Sequence, residues 1–193
     1  MQIPAARLPE QLNKGLRSLY TLHGDDALLM QEAADLIRQT ARMQGYTERQ
    51  VFTVAGAHFN WSQVHAAGAS MSLFADKLLL DVRIPSGKPG KDGSVALQQL
   101  AESAAGNDAV LTLVSLPRLD KPTKSSGWFM ALEANGATVQ LDPVERAALP
   151  AWIAQRLAAQ AQRVCEGEEG QRSLQFFADR VEGNLLAAHQ EIK

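Results

Sequence analysis

The stretch Ser18-Leu19-Tyr20-Thr21-Leu22-His23-Gly24-Asp25-Asp26-Ala27-Leu28-Leu29 combines a strand, a tight turn and the first turn of a helix. Its first residues are apolar, aromatic or β-branched, which favours a buried strand. Asp25 or Asp26 can cap the free amides of the following helix, which is predicted to end near Gly45. One side of that helix carries apolar residues at helical spacing: Leu29, Ala33, Leu36, Ile37 and Ala41.

The same alternation of strand and helix continues along the chain. Further strand-like runs lie at 50–54, 78–84, 109–115 and 137–141. Helices are predicted between most of them, at 61–69, 94–105 and 126–135, and a Gly- and Pro-rich loop at 85–93 is predicted to be exposed. Because strands that alternate with helices build parallel sheets, we expect an α/β domain over residues 1–141, with a mainly parallel sheet covered on both faces.

The composition changes after Leu141. Asp142-Pro143-Val144-Glu145 has an acidic cap, a proline at the first helical position and a glutamate three residues after the cap, so it predicts a short helix. Pro150 is predicted to break that helix and to begin another. The apolar face of this next helix comprises Trp152, Ile153, Leu157 and Ala161.

Two more helices are predicted, at 171–181 and from Asn184 onward. We therefore expect residues 142–193 to form a small all-helical domain. The chain ends at Glu191-Ile192-Lys193 within an apolar helical pattern and without a stop signal, so this domain is expected to be truncated.

The composition excludes several classes of protein. With 193 residues, 46% of them hydrophobic, the chain can bury a core, and its net charge of -2 provides no overall field that would attract nucleic acid or an acidic membrane. The single cysteine, Cys165, excludes an intramolecular disulfide and a cysteine-based metal cluster. No segment approaches the roughly 18 consecutive apolar residues of a membrane span, and the N-terminus lacks the apolar region of a secretion signal. We expect a cytoplasmic protein with no membrane partner.

The turn after the first strand is where a nucleotide-binding α/β domain would hold phosphate, because the helix N-terminus presents free amides there. A P-loop needs two glycines that flank four residues, followed by Lys and then Ser or Thr. Here the turn has one glycine, no lysine, and carboxylates at Asp25 and Asp26 that would repel a triphosphate. The sequence therefore predicts no bound nucleotide and no other cofactor, and helix capping as the role of both aspartates.

The histidines show no metal-ligand spacing with one another or with Cys165; they are His23, His58, His65 and His189. His23-Gly24-Asp25, at the end of a strand, lies where such sheets bind ligands, and it could supply an acid or a base. No obvious nucleophile lies nearby in the sequence. An α/β enzyme or nucleotide-binding module that uses the His23–Asp25 turn is therefore kept as the alternative.

Basic residues follow two of the predicted strands and could form a modest rim: Lys88, Lys91, Arg118, Lys121 and Lys124. Asp92, Asp108 and Asp120 are interspersed among them, which favours a mixed solvated surface over a track for phosphates. Trp128, Phe129 and Leu132 follow helical spacing and are assigned to the core rather than to base stacking.

The segment Ala69-Ser70-Met71-Ser72-Leu73-Phe74-Ala75 places three large apolar side chains among small residues, directly before a strand. Small residues let the backbone turn tightly, so Met71, Leu73 and Phe74 can point outward together, with Ser72 spacing and turning them. We call residues 71–74 the apolar plug. Burying each large side chain is worth about 1.5–3 kcal/mol, enough to anchor a partner. The same residues would also fit a core, because apolar side chains usually lie inside.

Several motifs, in order and spacing, resemble the delta-subunit family of bacterial DNA polymerase III. They are Glu10-Gln11-Leu12, Gly15-Leu16-Arg17, Leu22-His23-Gly24-Asp25-Asp26, Leu28-Leu29-Met30-Gln31-Glu32, Ser70-Met71-Ser72-Leu73-Phe74-Ala75, Trp128-Phe129, Leu149-Pro150-Ala151-Trp152 and Glu182-Gly183-Asn184-Leu185-Leu186-Ala187. Each motif alone is weak, but together they are specific and cover essentially the whole chain.

The resemblance implies an AAA+-like first domain without nucleotide-binding residues, followed by a small helical lid. In this family, the residues that match Met71, Leu73 and Phe74 insert into a hydrophobic pocket on the ring-shaped sliding clamp and help to open the ring. In the family a third domain joins the subunit to the other clamp-loader subunits, and this chain is expected to end before that domain. Contact with the clamp is therefore expected of this chain, whereas contact with the other clamp-loader subunits would depend mainly on the third domain.

The resemblance also implies that the chain has no catalysis of its own. ATP hydrolysis would occur in partner subunits, and polymerase activity would belong to the holoenzyme, which brings the subunit to primed DNA during replication. A delta-prime subunit of the same loader is a less favoured alternative, since that protein should carry zinc-binding cysteines and this chain has only Cys165.

Overall fold

The computed structural model of the chain describes residues 1–56, 58–69, 77–181 and 183–192. The chain forms two compact units. The first comprises Met1–Asp25 and Leu29–Leu141, and the second comprises Asp26–Leu28 and Asp142–Lys193. None of the helices in the described part of the chain has the length and apolar character that crossing a membrane requires.

A parallel sheet, six-stranded when counted over the described residues, forms the centre of the first unit. Its strands are β1 (Gln2–Pro4), β2 (Leu19–Gly24), β3 (Glu48–Thr53), β4 (Leu78–Arg83), β5 (Val110–Leu116) and β6 (Ala137–Leu141). In space they follow the order β1-β6-β2-β5-β4-β3, and every pairing among them is parallel. The predicted parallel sheet is confirmed.

Helices connect the strands, because parallel neighbours need connections that cross over the sheet. They are α1 (Leu8–Lys14), α2 (Ala27–Met43), α3 (Ser62–Ala69), α4 (Gly90–Ala104), α5 (Lys121–Lys124) and α6 (Gly127–Asn135). After β6 the chain continues through α7 (Leu149–Ala159), α8 (Glu168–Val181) and α9 (Leu185–Glu191). Short 3-10 turns at Ala5–Arg7 and Arg146–Ala148 precede α1 and α7.

Successive residues of a strand point to opposite faces of the sheet, so each strand contributes side chains to two separate hydrophobic cores. On β4, Leu78, Leu80 and Val82 join one core, which also contains residues of α3, α4 and α6. Leu79 joins the other core, with residues of α1 and α2. Trp128, Phe129 and Leu132 are buried in the first core, as predicted.

Neither β1 nor α1 is predicted from the sequence, because β1 has only three residues and its contacts are distant in the chain. The amino group of Met1 donates hydrogen bonds to the carbonyl oxygens of Gly136, at 2.8 Å, and of Glu133. β1 also pairs with β6. The N-terminus is therefore held by residues more than a hundred positions away, which no local pattern reveals.

Three local predictions are wrong. Residues 142–145 are not helical; a 3-10 turn at Arg146–Ala148 comes before α7, which has Pro150 in its first turn. α7 ends at Ala159, and Ala161 has a left-handed φ of 59°, so Ala161 is not part of its apolar face. The loop predicted at 85–93 is shorter, because α4 begins at Gly90, and Gly93 is buried where a side chain would collide with Trp61.

A fully buried carboxylate, that of Asp81, is surrounded by arginines from three elements. Its Oδ2 accepts hydrogen bonds from Nε and Nη2 of Arg38 on α2, at 3.1 and 2.9 Å. The same oxygen accepts from Nε and Nη2 of Arg49 on β3, at 3.2 and 2.6 Å, while Oδ1 faces Nε of Arg83 at 3.5 Å. We call these four residues the arginine cluster; it joins α2, β3 and β4.

We expect Asp81→Asn to lower the free energy of unfolding by about 2–3 kcal/mol, because it leaves the arginines without their buried counter-charge. The expected loss is at the low end for a buried pair, since Arg49 and Arg83 remain partly in water. Asp35→Asn is the matched control: its carboxylate also binds Arg38 but is exposed, so we expect a loss below about 1 kcal/mol. Urea unfolding measures both, and equal losses would contradict the special role of Asp81.

Candidate functional site

The apolar plug predicted as the binding element, Met71, Ser72, Leu73 and Phe74, lies outside the described residues. Its role therefore stays a prediction. The structure does describe the residues on either side of it, which are the end of α3 and the residues that lead into β4.

Helix α3, on the N-terminal side of the plug, is anchored to the sheet. The side-chain oxygen of Asn60 accepts a hydrogen bond from the amide of Ser62 at 3.1 Å, at the first residue of the helix. Val64 and Ala67 are buried in the core shared with α4. At Gly68 a Cβ would lie only 3.3 Å from the Leu80 side chain, so the last turn of α3 lies close against β4.

Lys77, on the C-terminal side of the plug, is also held. Its Nζ donates to the carbonyl oxygen of Gln44 at 3.1 Å and lies 5.0 Å from the centre of the Tyr46 ring. The Tyr46 hydroxyl donates to the carbonyl oxygen of Asp108 at 2.8 Å, and burial raises the pKa of Tyr46, which keeps this donor protonated. Both flanks of the plug are therefore tied to the first unit by contacts that its sequence does not reveal.

The turn after β2 occupies the position of a phosphate loop but is closed by protein contacts. Gly24 pairs with Leu141 of β6, and a Cβ at Gly24 would lie 2.2 Å from the Leu141 carbonyl oxygen. The Asp25 carboxylate accepts a hydrogen bond from the backbone amide of Arg118 at 2.9 Å. Asp25 thus ties the turn to the segment after β5, rather than only capping α2 as the sequence predicts.

His23, the candidate acid or base, lies at the end of β2 and is buried. Its ring packs edge-on against Phe129, with 5.5 Å between the ring centres. Among the described residues no group of three His, Cys, Asp or Glu side chains is placed to hold a metal ion. The geometry makes His23 part of the core rather than a reactive group at an open edge.

The predicted basic rim does lie after β4 and β5, but its residues are partly occupied by neighbours. The Nζ of Lys124 donates to the side chain of Gln140 at 2.8 Å. Asp120 caps α5 by accepting from the amide of Thr123 at 2.9 Å. The pKa of Asp120 is lowered first by the Thr123 side chain, then by this amide, and further by the charge of Lys88. The rim is a surface of mixed charge, as the interspersed aspartates indicate.

Two important features are missed by the sequence analysis. One is the pair of contacts around Lys77 and Tyr46 that hold the C-terminal flank of the plug. The other is the arginine cluster, although a single Asp81 inside an apolar strand is a signal that could have pointed to a buried ion pair.

Comparison with protein families gives one decisive match. The model of the family described as DNA polymerase III, delta subunit, matches residues 20–141, which is most of the chain. The chain belongs to this family. The matched residues include β3 to β6, all of β2 except Leu19, the turn at Gly24 and the apolar plug.

Curated delta subunits show the same relationship at the level of sequence. The DNA polymerase III subunit delta of Escherichia coli is 33% identical over 187 residues, which cover 97% of this chain and 52% of that protein. The subunit delta of Haemophilus influenzae is 27% identical over 194 residues, which cover 96% of this chain and 53% of that protein. The chain therefore spans about half the length of the curated relatives it matches.

Solved structures agree with the predicted fold. The Bacillus subtilis DNA clamp loader delta protein aligns with a TM-score of 0.69 and 16% identity, over 97% of this chain and 56% of that one. A structure of Rif2 in complex with the C-terminal domain of Rap1 aligns with a TM-score of 0.53 at 8% identity, over 92% of this chain and 66% of that one. The predicted AAA+-like α/β fold followed by a helical region is confirmed.

We expect Gly24→Ala to lower the free energy of unfolding by about 2 kcal/mol or more, because the new methyl group collides with the β6 backbone. Gly127→Ala, in α6, is the matched control, since its nearest contact would be 3.7 Å away. That variant should stay within about 1 kcal/mol of the unaltered chain. Thermal unfolding compares the two, and an undiminished melting temperature for Gly24→Ala would show that the turn can open.

We also expect no saturable binding of ATP with magnesium, since the turn lacks a lysine and Asp25 and Asp26 repel phosphate. Isothermal titration calorimetry measures this directly. Binding with micromolar affinity would instead favour the alternative, a nucleotide-binding module that uses the His23–Asp25 turn.

Proposed function

We propose that this chain is the clamp-binding part of a clamp-loader subunit of the replicative DNA polymerase III holoenzyme. It would bind the sliding clamp through the apolar plug and help to open the ring for loading onto primed DNA. The observation that carries the proposal is the family match over residues 20–141, which spans the plug. A bacterial relative with the same fold is itself described as a clamp loader delta protein.

In this proposal residues 1–141 form the AAA+-like domain that displays the plug, and residues 142–193 belong to the helical lid. The partners are the sliding clamp, the other clamp-loader subunits and, through the complex, primed DNA. Contact with the other subunits would depend mainly on the part of the relatives that this chain does not cover. The subunit would work in the cytoplasm, without a membrane partner.

The mechanism would be differential binding rather than catalysis. A ligand shifts an equilibrium only by its preference for one state, so the plug must bind an open or distorted clamp more tightly than a closed one. Each large apolar side chain can supply about 1.5–3 kcal/mol when it is fully buried in the clamp. The residues on either side of the plug, α3 and Lys77, are held to the first unit. They support this role because they would fix where the plug begins and ends on that unit. ATP would be hydrolysed in partner subunits.

We expect the double variant Leu73→Ala/Phe74→Ala to lose clamp binding while its unfolding free energy stays close to that of the unaltered chain. Surface plasmon resonance on immobilised sliding clamp measures the first, and urea unfolding the second. The matched control is Val95→Ala/Met130→Ala, which also removes two exposed large apolar side chains but from α4 and α6. This control should bind the clamp normally.

Two results would count against the plug. Equal clamp affinity in the double variant and the unaltered chain would place the contact elsewhere. A loss of several kcal/mol in unfolding free energy would show that Leu73 and Phe74 fill a core, because emptied core volume carries that cost.

A further inference from the structure

The arginine cluster presents unused hydrogen-bond donors to solvent. Arg38 is largely buried and uses Nε and Nη2 on Asp81 and Nη1 on Asp35. Arg49 and Arg83 are about 40% exposed, at 39% and 43%. Within the described residues, Nη1 of Arg49 and both terminal nitrogens of Arg83 make no hydrogen bond.

The charges in the cluster do not balance. Together with Asp35, which binds Arg38, the cluster has three guanidinium groups and two carboxylates, so this group of five side chains carries one positive charge in excess. Asp81 is fully buried and holds Arg38 and Arg49 through two nitrogens each, so the positions of these two arginines are set before any ligand arrives, whereas Arg83 has a single contact with Asp81 at 3.5 Å. Arg49 has Nη1 left to donate to one carboxylate oxygen, and Arg83 has both terminal nitrogens left, which suit the two oxygens of a carboxylate.

Arg49 of the cluster lies on β3, at the open edge of the sheet, whereas Asp81 and Arg83 lie on the next strand in, β4. β3 is the last strand on its side, so one row of its backbone groups has no strand partner within the described chain. On the face that carries Arg49, every residue of β3 is exposed: Arg49, Val51 and Thr53. Val51 is 45% exposed, although valine in a strand is usually covered.

The strand register gives this face a definite pattern. Arg49 lies two residues before Val51, and Arg83 is paired with Thr53, two residues after Val51. Residues two apart on a strand share a face and are separated by about 6.6 Å. Val51 therefore has Arg49 before it on its own strand and Arg83 diagonally across from it on β4, and both arginine side chains are partly exposed.

We propose that this edge binds an extended, acidic segment of a partner protein, which adds as a further strand beside β3. Its facing residues would follow the pattern acidic, apolar, acidic. The first carboxylate would bind Arg49, the apolar side chain would lie beside Val51, and the second carboxylate would extend past Thr53 to Arg83 on β4. Its main chain would use the free backbone groups of β3. A nucleic acid is the less suitable ligand, because one excess charge neutralises few phosphates and a sheet edge offers main-chain pairing that DNA does not use.

The test uses a fluorescein-labelled peptide with the sequence Glu-Thr-Val-Thr-Glu and measures anisotropy at millimolar protein. We expect salt-sensitive binding that Arg83→Ala weakens by about fivefold, and Arg49→Ala/Arg83→Ala by about tenfold or more. The matched variant Lys91→Ala, an exposed cation on α4, should bind normally. A peptide with Gln in place of both Glu residues should bind at least fivefold more weakly than the Glu peptide.

Folding does not obscure this test. Arg83→Ala removes only the 3.5 Å contact and leaves the four shorter hydrogen bonds to Asp81, so its unfolding free energy should be close to normal. Peptide binding should also slow hydrogen exchange of β3 amides. Absence of binding to the unaltered chain, equal binding by Arg83→Ala, equal binding of the Gln peptide, or no protection of β3 would each overturn the proposal.

A short single-stranded DNA, labelled in the same way, separates the remaining possibility. DNA binding that Arg83→Ala abolishes would identify a phosphate ligand and overturn the protein-segment proposal. The inference is independent of clamp binding: Leu73→Ala/Phe74→Ala should bind the peptide normally, and Arg83→Ala should bind the clamp normally. Failure of one proposal can therefore be told from failure of the other.

Discussion

A parallel sheet is stable only when both faces are covered, and the rest of the first unit depends on this requirement. β2 is buried at all of its residues, and β4 is buried at all but Arg83. Helices α1 and α2 supply one cover, and α3, α4 and α6 supply the other. The segments between strands therefore have to be long and amphipathic. One of them, between β3 and β4, contains the apolar plug as well as α3.

Coverage of the sheet faces is incomplete at β3, which is the edge strand. There the face beside α2 is covered by arginine side chains instead of a helix, and Asp81 is the buried charge that holds them. Burial of an unpaired carboxylate would be costly, so Asp81 and its arginines depend on one another. The same contacts that complete the fold at this edge leave guanidinium groups and Val51 exposed, which is the basis of the proposed docking surface.

The turn after β2, in contrast to the exposed edge at β3, is closed by contacts within the protein. AAA+-like sheets offer a ligand position at the carboxyl ends of their strands, where helix N-termini point outward. In this chain Gly24 packs directly on β6, and Asp25 is bonded to the amide of Arg118. The turn that would face a phosphate in a nucleotide-binding domain therefore holds β2 to β6 and to the segment after β5. The proposed clamp-binding role needs this scaffold and requires no nucleotide chemistry at the turn.

The sequence by itself determined the α/β class, the five longer strands and the three large apolar side chains at Met71, Leu73 and Phe74, because composition, periodicity and turn residues are local signals. It also excluded a P-loop, since the required lysine and second glycine are missing. Only the tertiary structure placed β1 beside β6, tied Asp25 to Arg118, and gathered Arg38, Arg49 and Arg83 around Asp81. These contacts join residues that are distant in the chain, and their energy depends on burial, which exists only after the sheet and its helices have packed.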